Sequence, residues 1–206
     1  YWQADLLMER GRDDEARTIL LSLMQQRGFY PMVAAQRLGE PYALRIDKAP
    51  GAISSTLTGG AEMARVRELM YWNQDNTARS EWANLVSSRS QTEQAQLARY
   101  AFDQHWWDLS VQATIAGRLW DNLQERFPLA YNDLFVRYTS GKDVPQSYAM
   151  AIARQESAWN PKVKSPVGAS GLMQIMPGTA THTVSMFSIP GYSGPSQLLD
   201  PDRKST

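Results

Sequence analysis

The chain has 206 residues, 43% of them hydrophobic, enough to bury a substantial core in one or two domains. Lysine plus arginine equals aspartate plus glutamate at 21 each, so net charge gives no reason to expect a nucleic-acid partner. Cysteine is absent, which excludes disulfides, thiol nucleophiles and thiolate metal sites, and no apolar run reaches the length of an integral membrane segment.

The N-terminus, Tyr1-Trp-Gln-Ala-Asp5, lacks an initiator Met and the basic and apolar regions of a signal peptide, so the chain reads as an internal fragment. Asp13 to Arg27, broken by Gly28, and Pro31 to Leu38 read as an αα-hairpin. Ala43 to Gly60, with Pro50-Gly51, Gly59-Gly60 and many Ser and Thr, reads as a linker. Helical pattern resumes over Glu62 to Asn73, Thr77 to Val86, Thr92 to Gln104 and Trp106 to Leu119. The last two resemble a repeat pair in which neither helix can bury its face alone, with a period too irregular for any repeat class. Tyr100, Phe102, Trp106, Trp107 and Trp120 can be drawn as a sugar-stacking platform. Aromatic residues at helical spacing are more often core, however, and these are read as packing residues. Three of eleven prolines but six of seven tryptophans precede Phe127-Pro128, where a boundary is placed because turns multiply beyond it.

The next helix is expected to open near Pro145 and to run until Asn160-Pro161 stops it. At roughly 100° per residue, Ala149, Ile152, Ala153 and Glu156 share one face, so Glu156 is expected to continue the packed stripe. Burial and the negative helix end would both disfavour its ionised form, as a general acid near neutral pH requires. The plainer alternative is a solvated surface glutamate. Ser165 to Thr179 mixes turn formers with an apolar centre and reads as a loop and short extended segment before a helix opened by Pro177. Gly168 and Gly171 would allow close backbone approach to a ligand. Trp159 either lines the same cleft or walls off the helix end, and Met173 and Met176 are expected to pack. His105 and His182 lack ligand-spaced partners, so no metal site is expected, and Ser157 has no base beside it and is read as a hydrogen-bonding residue.

Glu156-Ser157 followed by Gly171-Leu-Met-Gln174 resembles the motif pair of the lytic transglycosylases, and most closely that of the soluble periplasmic members. The likeness is strongest from Tyr148 to Ala180. It implies an all-α (mainly) chain: the end of a helical superhelical ring (1–40), a connecting segment (41–61), a helical linker domain (62–126) and the N-terminal part of a lysozyme-like α+β catalytic domain (127–206). It also implies cleavage of the glycosidic bond between N-acetylmuramic acid and N-acetylglucosamine in peptidoglycan glycan strands, a periplasmic location and no cofactor. Near Glu156 there is no obvious second carboxylate, since Asp143 precedes the helix and Asp200 and Asp202 lie far beyond the loop. The resemblance therefore implies that Glu156 is acid and then base, and that the muramoyl C6 hydroxyl closes an anhydro ring. Ser157, Met173 and Gln174 would contact substrate. The family's Ala-Tyr-Asn motif has no counterpart before Thr206, so the chain reads as C-terminally truncated and its catalytic domain as incomplete. A hydrolytic muramidase and a noncatalytic peptidoglycan- or protein-binding scaffold are the alternatives.

Overall fold

The helical pattern is realised as twelve α-helices and one 3-10 turn among residues 1–47 and 50–202, which the computed structural model describes. The only extended pairings among them are two isolated β-bridges in the loop after α11 (Gln146–Ser157), which accords with the mainly all-α expectation. The expected segments 41–61 and 127–206 run over residues 48–49 and 203–206, which lie outside the described residues.

Two units can be separated, Tyr1–Ile46 and Asp47–Thr206. The first holds α1 (Trp2–Glu9), α2 (Asp13–Leu23) and α3 (Phe29–Leu38). Asp13, Asp14 and Glu15 occupy the first turn of α2, where the helix dipole favours anions, and Gly39 ends α3 in the left-handed conformation at φ 71°. Ala4, Ala16, Leu20 and Ala34 form its core, the alanines permitting close helix approach. The expected hairpin is therefore present, with α1 packed on α2 as a third helix.

The second unit begins with a correction. Ser55–Gly59, expected as linker, forms the short helix α4, because Leu57 finds an apolar seat and Ser54 N–H donates to Gln96 Oε1 at 3.0 Å. The four expected helices follow as α5 (Ala61–Tyr71), α6 (Asp75–Ser87), α7 (Gln91–Asp103) and α8 (Trp107–Ala116). A reciprocal capping box starts α7: Glu93 N–H donates to the Ser90 hydroxyl while Ser90 N–H donates to the Glu93 carboxylate. Met63, Val66, Trp82, Leu85, Leu97 and Leu109 centre this core, and the Trp82 indole N–H is satisfied by Leu109 O at 2.9 Å. Trp106 and Tyr100 pack against it, as the packing reading of the aromatic residues expected.

Beyond α8 come α9 (Leu123–Arg126), α10 (Asn132–Thr139), α11, α12 (Pro177–Phe187) and the 3-10 turn Pro195–Leu199. Val111, Ala130, Met150, Ala153, Trp159 and Leu172 make a second core. Helix α8 serves both: Leu109 and Ala113 point into the first, Val111 into the second. A helix buried on more than one side loses a single polar face, which is why Ser110 and Thr114 are also fully buried, with hydroxyls on main-chain carbonyls.

Candidate active site

Pro145 precedes α11 in an extended conformation, and the helix then buries Met150, Ala153 and Ser157. The face expected from sequence lies about one 100° step away. Of its four members Ala153 is buried, Ala149 and Ile152 are half-buried and Glu156 is exposed. Glu156 therefore does not continue the packed stripe. Ser157 takes the buried place instead, because its hydroxyl satisfies itself on Ala153 O at 2.9 Å and a carboxylate has no such partner within the helix.

The helix also stops earlier than expected. Ala158 (φ 48°) and Trp159 (φ 69°) are consecutive left-handed residues, neither of them glycine, so α11 ends at Ser157 and not at Asn160-Pro161. Such backbone is disfavoured by about 1 kcal/mol per residue, and here the packing of Trp159 offsets it. That indole is 2% exposed, edge-on to Phe135 at 5.7 Å and tilted against Tyr131 at 6.3 Å. Trp159 thus walls off the helix end. Its indole nitrogen is buried with no hydrogen-bond partner among the described residues.

The following loop is held by its own backbone. Ser170 pairs with both Lys164 and Ile175, exchanging bonds of 3.1 and 3.2 Å with Ile175, and Gly171 N–H donates to Val163 O at 2.7 Å. Gln174, itself left-handed at φ 46°, turns its carboxamide inward to donate to Gly171 O (2.8 Å) and Val163 O (3.2 Å). Gly168 and Gly171 adopt φ of 96° and 70°, so glycine is needed there for the turn. Nothing lies within 4 Å of where a Gly168 Cβ would be, so close approach inside the protein is not its reason. Leu172 is buried in the second core and Met173 packs on its edge, whereas Met176, expected to pack, is 41% exposed. Pro177 opens α12 as expected.

The two sequence motifs therefore meet in one cluster through Ala153, Ala158, Trp159, Leu172 and Met173. Glu156 stands at its solvent side, while the Ser157 hydroxyl and the Gln174 amide nitrogen bond to main-chain carbonyls inside the protein. Positioning residues missed from sequence tie this cluster down. Arg154 Nε donates to Arg126 O at 3.0 Å, and Lys162 pairs with Asp75 of α6 at 2.5 Å. An ion pair across 87 positions leaves no local sequence signal. Tyr131, beneath Trp159, has its phenol pushed up to about 12 by burial first and by the neighbouring Asp108 charge second. Burial likewise raises Asp108 against the pull of Arg79 at 2.6 Å.

Family models match in two stretches, the soluble lytic murein transglycosylase L domain over residues 57–123 and the transglycosylase SLT domain over 133–205. The chain carries two domains of the soluble lytic murein transglycosylases, the L domain and the SLT domain. The soluble lytic murein transglycosylases of Salmonella typhimurium and Escherichia coli are each 83% identical to it over 98% of its length. The crystal structure of the 70 kDa soluble lytic transglycosylase from Escherichia coli superposes with a TM-score of 0.94 at 82% identity, covering 98% of this chain. An inactive Glu-to-Gln mutant of the Pseudomonas aeruginosa lytic transglycosylase does so at 0.89 and 34% identity, again over 98%. The chain spans about a third of these relatives, 31% of the Salmonella and Escherichia proteins and 33% of either solved chain.

Proposed function

We propose that this chain carries the acid/base centre of a peptidoglycan lytic transglycosylase acting in the periplasm. The observation that carries the reading is Glu156 itself, the only acidic residue between Asp143 and Asp200, presented to solvent in the last turn of α11 just before the left-handed Ala158 and Trp159. An exposed carboxyl can be reached by a glycan strand, and a bound strand excludes water from it. Glu156 then gives its proton to the glycosidic oxygen as the bond to the muramoyl anomeric carbon breaks, the substrate's N-acetyl group helping to carry the positive charge. The muramoyl C6 hydroxyl attacks that carbon and returns its proton to Glu156, so an anhydro ring forms and no water is consumed.

Met173, at the edge of the cluster, fits a saccharide contact. Gln174 and Ser157 would act on the glycan through the loop and helix end they hold together. One of the solved relatives is a complex of the 70-kDa soluble lytic transglycosylase with bulgecin A, which supports a ligand-binding cleft in proteins of this kind.

Mass spectrometry of purified murein digested by this chain, and by the chain extended to the full length of its relatives, tests the reading. Anhydromuramoyl ends from the extended protein, abolished by Glu156→Gln, are expected. Reducing ends would mean that water attacks and would assign a hydrolytic muramidase. Binding without any cleavage would assign a noncatalytic scaffold.

A further inference from the structure

One aromatic residue of the sequence cluster stays out of the core. Trp120 is 41% exposed, with the Arg126 guanidinium over its ring at 4.4 Å. It borders a cavity of about 490 Å³, within the range of roughly 300–1,000 Å³ usual for small-molecule sites. The lining comes from the connecting segment (Asp47), the start of α7 (Thr92, Gln96) and the turn after α8 (Trp120, Asp121, Asn122), and includes nothing from α11 or its loop. Asp47 N–H donates to Asp121 O at 2.9 Å, closing one side. Asn122 is only 5% exposed, and its carboxamide makes no hydrogen bond among the described residues, nor does it cap α9. The carboxamide lies in the cavity wall, where it can meet a ligand.

The geometry points to a second saccharide-binding site, in which a pyranose stacks on Trp120 and pairs its hydroxyls with Asn122, Asp47 and Asp121. A flat apolar ring suits the C–H face of a sugar, and planar carboxamide and carboxylate groups suit adjacent hydroxyls. Asp47 and Asp121 share the wall with Arg118, and this mix of donors and acceptors suits a neutral polyhydroxylated ligand. A cation is short of ligands, since no group of three or more His, Cys, Asp or Glu side chains gathers among the described residues. The proposal rests on the murein reading only for which sugar arrives, an N-acetylated hexosamine of the glycan strand.

The test is a titration of the ¹⁵N-labelled chain with chitotetraose, followed at the Trp120 indole and Asn122 carboxamide resonances. Saturable shifts are expected at both, weakened on the order of tenfold by Trp120→Ala and by Asp47→Ala, and unchanged by Glu156→Gln. Asp47 is exposed, so its variant keeps the test valid if Trp120→Ala unfolds. No saturable shift at these groups with millimolar sugar, or equal affinity in Asp47→Ala, would overturn the proposal. Saturable binding here, with no anhydromuramoyl product from the protein extended to the full length of its relatives, would sink the Glu156 reading and leave this site standing.

Discussion

At the scale of single residues, the site is defined by side chains that do the opposite of what their type suggests. A tryptophan and an alanine take left-handed backbone, a serine is buried and a glutamate beside it is not. Ala158→Gly removes the Cβ penalty at φ 48° and is expected to raise stability by roughly 0.5–1 kcal/mol, read from the urea midpoint. Trp159→Ala, which empties the centre of the second core, is expected to lower it by about 3–5 kcal/mol. Tyr131 gives a pH signature. Its folded value of about 12 stands above the ordinary 10.0, so folding favours the neutral phenol. That contribution is complete below pH 10 and is lost as pH rises through about 12, to a limit of roughly 2–3 kcal/mol. Tyr131→Phe should therefore lose less stability than the parent chain between about pH 8 and about pH 11.5 in parallel urea titrations.

At the scale of elements, the helices were legible because apolar residues recur at helical spacing between strong stops, as in the capping box at Ser90 or the glycine after α3. Which face of α11 is buried was not. Ala149, Ile152, Ala153 and Glu156 form the expected stripe and Met150, Ala153 and Ser157 the buried one, and the two overlap at Ala153. The polar member of the true core face hides its hydroxyl on Ala153, a contact that composition does not announce. The early end of α11 was equally hidden, since it depends on Phe135 and Tyr131 receiving Trp159 from outside the helix. The loop's turns could be read from its glycines, but the inward Gln174 carboxamide could not. Gln174→Ala is expected to cost about 1–2 kcal/mol and to speed hydrogen exchange at the Gly171 and Ile175 amides more than at α11. Equal acceleration in both would show that the carboxamide does not hold the loop.

At the scale of the whole molecule, the stretches matched by the two family models are joined by more than chain connectivity. Val111 lies in the core of α10, α11 and the loop although it belongs to α8, and Lys162 reaches back to Asp75. Unit 47–202 is therefore expected to unfold in one step, with α7 and α11 amides losing protection at the same urea concentration. Leu109→Ala should move both together by about 2–5 kcal/mol. Separate midpoints for α7 and α11 would refute that coupling. Helix α8 also limits how such a protein can be recombined. A crossover placed in the interval between the two matched stretches would give α8 a foreign neighbour on the side of Val111. Grafting this glutamate-bearing segment onto another helical scaffold would require α8 to travel with it.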